Sequence, residues 1–242
     1  AWRLLRYGLP SGLQLLLEVA GYTAFLILIG DLGEMDMAAT SLAFNVNNLA
    51  FMPILGIGLA TSTLVGHRMG EERPDLAARV THTAFILAGG YMLAISALYV
   101  LAPDFILMAH WSMVEDRDFP QLQHLTVVLL RFVAAYCLFD AMNVIFSAAI
   151  KGAGDTRFVM LTTLITSTIP VALTWVGLRY FHLGIYWPWI VMTGWVMALG
   201  FIYMARFMQG KWRSMRVIED PLIGDSQGTA AAVVHAGEAL SH

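Results

Sequence analysis

Two carboxylic acids interrupt long apolar stretches of this sequence. Glu18 stands within GLQLLLEVAGYTAFLILIG, residues 12–30, and Asp140 stands within an apolar stretch at about 122–150. An ionised carboxylate at the centre of a membrane-spanning helix costs at least about 2.5–3.5 kcal/mol on insertion scales. Amides and hydroxyls can hold helices together without that cost, so the two acids predict a function and not only a packing role.

The two acids are predicted to lie at a similar depth in a membrane. Glu18 follows Arg6, and Asp140 precedes Lys151, each by about three helical turns. At ~1.5 Å per residue, both carboxyl groups lie roughly 16–18 Å from their basic boundaries. The apolar core of a bilayer is about 30 Å thick, so both acids fall near its midplane. Matching depth on separate helices predicts one shared, hydrated pocket.

Polar side chains accompany each acid on its own helical face, because residues three, four or seven apart align at about 100° per residue. The aligned sets are Ser11, Gln14, Glu18 and Tyr22, then Tyr136, Asp140, Asn143 and Ser147, with Asn45 and Asn48 on another span. Converging faces of this kind enclose oxygen atoms that suit a proton or a hard cation such as Na⁺. Interhelical hydrogen bonding, worth about 0.6 kcal/mol per contact, is the alternative role for the amides and Ser147.

The composition predicts an all-α, polytopic membrane protein. Of 242 residues, 58% are apolar and 13% are charged, with a mean hydropathy of +0.68. Soluble domains contain about 45–50% apolar and about 25% charged residues. A six-helix transmembrane unit is predicted at 1–209, with spans at about 7–30, 37–67, 77–102, 122–150, 157–181 and 185–208. Pro53 and Pro170 lie inside the second and fifth spans, where each is expected to kink its helix and is a candidate hinge.

The distribution of Lys and Arg predicts that both termini are cytoplasmic. The outer side carries only Arg117, Arg131 and Arg179 of the fourteen Lys and Arg residues, which leaves eleven on the inner side. Residues 102–123 are predicted to form a short amphipathic helix on the outer surface, and YWPW at 186–189 an outer aromatic belt. Residues 210–242 are predicted to be a disordered cytoplasmic tail. The chain begins with Ala1 and no signal-peptide pattern, so it is expected to be part of a longer protein.

No motif in the sequence supports an enzyme. GAGD at 152–155 matches a string of intramembrane aspartyl proteases, but along a helix Asp155 would lie about 22 Å from Asp140, too far for a catalytic dyad. The seven histidines lack HExxH spacing, and no P-loop or dinucleotide fingerprint occurs. We therefore expect no catalysis, no organic cofactor and no nucleic-acid partner.

Three segments together resemble the multidrug and toxic compound extrusion (MATE) transporters of the NorM-like branch. Residues 8–33, 51–71 and 136–158 look like the seventh, eighth and tenth helices of that family, and the similarity extends to about residue 212. The resemblance implies the C-terminal six-helix lobe of a twelve-helix antiporter. Such proteins export cationic organic compounds in exchange for Na⁺ or H⁺.

The resemblance also implies roles for individual residues. In the family, a Glu on the seventh helix and a Tyr and an Asp four apart on the tenth form the cation site of this lobe. They correspond to Glu18, Tyr136 and Asp140, with Asn143 expected to assist. The further pocket candidates are Gln14, Tyr22, Asn45 and Asn48. Na⁺ at the two acids is the only metal expected.

The sequence contains no counterpart of the family's N-terminal lobe, and three readings of its function stay open. The chain is expected to work in a bacterial inner membrane with that lobe, or a second six-helix chain, and a cationic small molecule. One alternative is a lipid-linked glycan flippase of the same broad fold group, which would need cationic residues deep in a span. The other is a non-transporting membrane assembly subunit.

Overall fold

Long α-helices make up the structure. The computed structural model describes residues 2–111 and 119–214. Its helices are α1 (Trp2–Gly30), α2 (Glu34–Gly70), α3 (Pro74–Leu101), α4 (Pro103–Trp111), α5 (Phe119–Gly152), α6 (Thr156–Tyr180) and α7 (Tyr186–Met208), followed by a 3₁₀ turn at Lys211–Ser214. Within this described part, six helices, all except α4, are long and apolar enough to cross a membrane. The predicted all-α, six-helix transmembrane architecture is therefore confirmed.

Two helices are longer than a membrane core is thick. α2 has 37 residues and α5 has 34, so at ~1.5 Å per residue they measure roughly 50–55 Å. Their ends therefore extend past an apolar core of about 30 Å. At one such end, Glu34 and Asp36 occupy the first turn of α2, where negative charges interact favourably with the helix dipole.

Helix boundaries differ from the sequence predictions at two places. α1 begins at Trp2, several residues before the predicted start of the first span. The predicted surface segment is helical over Pro103–Trp111, while residues 112–118 lie outside the described part of the chain. The predicted tail is described only to residue 214, where it forms the 3₁₀ turn.

α5 is the central helix of the bundle. It packs against α2, α3 and α7, and Leu129, Val133 and Cys137 are fully buried on it. α1 instead contacts mainly α6, so these two helices form one edge. A polar residue on α5 is consequently buried unless a cavity reaches it, whereas one on α1 can be exposed.

α2 and α5 approach each other through residues without bulky side chains. Gly58, Ser62 and Gly66 repeat every four residues along α2, the small-residue spacing that lets membrane helices pack closely. A Cβ at Gly152 of α5 would collide with the Ser62 carbonyl oxygen, and one at Gly66 would lie 3.2 Å from the Gly152 carbonyl oxygen. The contact is thus between backbones and requires glycine at position 152.

An ion pair connects the start of α6 to the end of α7. Arg206 donates to Asp155 Oδ2 from Nε at 3.1 Å and from Nη2 at 2.6 Å, and the two side chains are 17% and 11% exposed. The Arg206 guanidinium also lies 4.5 Å from the Phe158 ring centroid. The acid of the GAGD string therefore has a structural partner.

The predicted outer aromatic belt is wrong for one of its tryptophans. Trp189 is fully buried, and its ring stacks on Phe44 with centroids 5.1 Å apart. Its position in the first turns of α7 turns it toward α2 and the core and away from the lipid. A cluster of aromatic residues at a span end can therefore be part of the core.

Gly33, between α1 and α2, has a backbone conformation that is costly for other residues. Its φ is 138° and its ψ is 167°, a region populated essentially by glycine, so alanine there is expected to cost about 1–3 kcal/mol. We expect Gly33→Ala to lower the melting temperature of the purified protein in detergent. Gly30→Ala is the matched control, because Gly30 is helical and a Cβ there meets nothing within 4 Å. Equal melting temperatures for the two variants would contradict the assignment of strain to Gly33.

Candidate functional site

A cavity of about 670 Å³ lies between α1, α2, α5 and α7, with the first turns of α6 along its edge. Its walls mix apolar side chains such as Phe51, Leu55 and Leu199 with hydrogen-bonding groups. The polar lining residues are Gln14, Glu18, Ser62, Asn143, Ser147, Lys151, Thr156, Thr163, Trp195 and Tyr203. A partly polar, solvent-open cavity of this size can hold several water molecules or a small ligand.

Glu18 is an exposed acid on the α1 wall of this cavity. Gln14, one turn earlier and 7% exposed, donates from Nε2 to Glu18 Oε1 at 2.7 Å. A buried amide that holds one carboxylate oxygen fixes the orientation of the other. The pair therefore presents carboxylate and amide oxygens on one face, the kind of ligand that hard cations prefer.

The α5 wall faces this acid with an amide, a hydroxyl and an ammonium group. Asn143, Ser147 and Lys151 follow one another every four residues, so they lie on one face of α5. The Ser147 hydroxyl donates to the Val144 carbonyl oxygen at 3.2 Å, while the charge of Lys151 interacts electrostatically with Glu18. The cavity thus contains both a negative and a positive side chain.

Asp140 and Tyr136 do not line the cavity, unlike the single pocket predicted for both acids. They are 8% and 3% exposed, and no described residue donates a hydrogen bond to the Asp140 carboxylate. Asp140 does not reach the cavity because it lies ~4.5 Å beyond Asn143 along the axis of α5, at a level where neighbouring helices surround α5. The cation site predicted from Glu18, Tyr136 and Asp140 is therefore divided between an accessible acid and a buried one.

Tyr22, the further pocket candidate on α1, does not line the cavity. It stands one turn beyond Glu18 on α1, is 39% exposed and packs its ring edge-on against Phe44, with centroids 5.3 Å apart. Tyr22 therefore packs against α2 at a level of α1 that the cavity does not reach, and the convergence of the polar faces of α1 and α5 around both acids stays a prediction.

The two asparagines predicted on α2 are outside the site. Asn45 and Asn48 are exposed and do not line the cavity. Asn47, between them, is 8% exposed and its Oδ1 has no hydrogen-bond partner among the described residues. The sequence pattern identified an exposed polar face of α2, whereas the buried Asn47 lies on a different face of the helix.

The two prolines lie inside continuous helices. Pro53 is exposed within α2, and Pro170 is half-buried within α6. Each leaves the carbonyl group of the preceding turn without its helical donor. Their role as hinges remains a prediction.

Residues near helix ends complete the cavity and were missed by the sequence analysis. Lys151 had been treated only as a marker of the membrane boundary, yet it continues the spacing of four from Asn143 and Ser147. Tyr203 and Thr163 join α7 to α6 through a hydrogen bond of 3.2 Å between their hydroxyl groups. For Lys151 the helical spacing was a usable signal. For Tyr203 and Thr163 no local pattern indicates that α6 and α7 meet there.

Comparison with known proteins agrees with this architecture. The MatE family model matches residues 10–176. The probable multidrug resistance protein NorM of Thermotoga maritima is 26% identical over 89% of this chain and 45% of its own length. The multidrug resistance protein NorM of Vibrio parahaemolyticus is 34% identical over 67% of this chain and 34% of its own length.

Solved structures of similar fold are matched to about half of their length. An outward-facing multidrug resistance MATE family transporter of the MOP superfamily aligns with a TM-score of 0.77 and 16% identity, over 91% of this chain and 49% of that one. A MOP superfamily transporter from Pyrococcus furiosus aligns with a TM-score of 0.75 and 18% identity, over 90% and 47%. The matches thus cover about a third to a half of the length of these relatives and structures, and the structural matches have the extent of one six-helix lobe. The chain is a multi-pass membrane protein and, as the resemblance predicted, it belongs to the MatE family.

Proposed function

We propose that the chain is the C-terminal lobe of a secondary antiporter that exports cationic organic compounds in exchange for Na⁺ or H⁺. The observation that carries the proposal is Glu18, an exposed acid that lines a partly polar cavity, is oriented by Gln14 and lies within a mostly apolar helix. An acid at that depth is costly unless its charge is used. The names of the relatives, which are multidrug resistance proteins, support the same activity.

Within this proposal the acids act at two levels. Glu18 receives the coupling cation in the cavity, with Gln14 and Asn143 as amide ligands. Asp140 and Tyr136 form the deeper level, reached when neighbouring helices move apart. Alternating access would come from rocking of this lobe against another lobe or chain, with Pro53 and Pro170 as flexible points. We place the protein in a bacterial inner membrane with both termini cytoplasmic, as the Lys and Arg distribution favours.

The accessible acid is tested by Glu18→Gln in the complete natural protein. We expect efflux of ethidium from cells to fall at least about tenfold, because a neutral amide cannot be charged and neutralised in turn. Glu34→Gln is the matched control, since Glu34 is an exposed acid at the start of α2 and lies outside the cavity. Wild-type efflux by Glu18→Gln would remove the proposal. Imposing a Na⁺ or a proton gradient separately on vesicles identifies the ion.

One observation favours the glycan flippase as a second candidate. Lys151 places a cation among the described residues that line the cavity, and a pyrophosphate group would need cations. A single ammonium opposite an acid remains a weak anion site, so cationic cargo is the better match. Binding of a lipid-linked pyrophosphate precursor, without binding of ethidium, would reverse this order.

A further inference from the structure

Glu18 and Lys151 carry opposite charges on facing walls of one cavity. Both side chains line it, and their charges interact electrostatically. The ion pairs found within 4.0 Å among the described residues involve other groups. The acid and the ammonium therefore attract each other while a gap between them remains.

Lys151 has two favourable positions for its ammonium group. It lies in the last turn of α5, where the backbone carbonyl groups carry partial negative charge and stabilise a cation. Its four-carbon stem is flexible and ends in a compact charge. The group can therefore remain near the end of α5 or extend across the cavity toward Glu18.

We propose that Lys151 is a tethered competitor of the coupling cation for the Glu18 carboxylate. This inference rests on the proposed function, and in it the Lys151 ammonium group promotes release of the cation from Glu18. When the cavity is empty of cations, the ammonium extends toward Glu18 and compensates its charge. When Na⁺ or a proton reaches Glu18, the ammonium is repelled, or no longer attracted, and returns to the end of α5.

A tethered competitor also explains why a lysine belongs beside an acid that must bind cations. A fixed ligand set with no competitor would hold the cation tightly and release it slowly. An attached ammonium lowers the affinity by the same free energy with which it stabilises the empty site, since coupling between two sites is reciprocal. Lys151 would thus lower the cation affinity of the site enough for the cation to be released in each transport cycle.

Few other charged groups face Glu18. Among the described residues that line the cavity, α5 contributes the basic side chain of Lys151, and α7 contributes the uncharged phenol of Tyr203. The lining residues of α2 and α6 are hydroxyl-bearing or apolar. A change in cation affinity after substitution of Lys151 can therefore be assigned to the lost ammonium group.

The test is Lys151→Met in the complete natural protein reconstituted in vesicles. Methionine keeps the unbranched shape and removes the charge. We expect the half-saturating Na⁺ concentration for efflux to fall about tenfold, a typical coupling between neighbouring sites, and the maximal rate to fall because release is slower. If protons drive efflux, the half-saturating proton concentration is expected to fall by the same factor.

Two variants separate this role from a structural one. Arg157→Met removes an exposed charge in the first turn of α6 that does not line the cavity, and it should leave both constants unchanged. Lys151→Arg keeps the charge and should restore the wild-type constants. An unchanged or raised half-saturating concentration in Lys151→Met would overturn the inference while leaving the proposed function intact. A wild-type protein without any cation-driven efflux would instead remove the proposed function.

Discussion

Gly152→Val is expected to separate α2 from α5 and to destabilise the protein by more than ~3 kcal/mol. Overpacking a well-packed contact costs typically about 1–3 kcal/mol. Here a Cβ would meet the Ser62 carbonyl oxygen and would lie 3.0 Å from Ser62 Cα. Both are backbone atoms, so no rotation of a side chain can relieve the collision. Relief would require moving α2 as a whole, and α5 is the helix against which α2, α3 and α7 pack.

The measurement is the melting temperature of the purified protein in detergent. For a chain of this size ~1 kcal/mol corresponds to roughly 2–4 °C, so a decrease of at least about 6 °C is expected. Gly56→Val is the matched control, because Gly56 is an exposed glycine of α2 and a Cβ there meets nothing within 4 Å. A similar melting temperature for the two variants would contradict the direct backbone contact.

The same contact illustrates what the sequence could predict about the fold. The six spans were found because a membrane demands long apolar stretches, and length and composition are visible locally. The partners of each helix are not visible in that way. The repeat of Gly58, Ser62 and Gly66 can be read in the sequence, but nothing local indicates that it meets Gly152. Pairing is decided by surfaces that are far apart in the chain.

The candidate site was predictable in part for the same reason. Glu18 was found because an acid is rare in an apolar helix, and its cost does not depend on the neighbouring helices. Asp140 was found by the same argument, yet its distance from the cavity depends on where α5 is enclosed. Asn45 and Asn48 were predicted because residues three apart share a helical face, but the sequence does not show which face of α2 is directed toward the core.

Asp155→Asn is expected to destabilise the protein by about 3 kcal/mol, measured as a lower melting temperature in detergent. Removing one partner of a buried ion pair typically costs about 3–5 kcal/mol because the other charge is left uncompensated, and the small remaining exposure of this pair favours the lower value. Asp155 directly precedes α6 but makes no capping hydrogen bond to it, since its carboxylate is held by Arg206.

That geometry also predicts an asymmetry between the two partners. In Arg206→Met the carboxylate of Asp155 can turn back to cap α6, as acids at this position commonly do, so the loss should be smaller than in Asp155→Asn. Glu71→Gln is the control, because its pair with Arg68 is much more exposed and exposed ion pairs contribute little to stability. If Asp155→Asn and Glu71→Gln had the same melting temperature, the Asp155–Arg206 ion pair could not be an important link between α6 and α7. If Arg206→Met were the more damaging change, the contact of Arg206 with Phe158 would outweigh the ion pair.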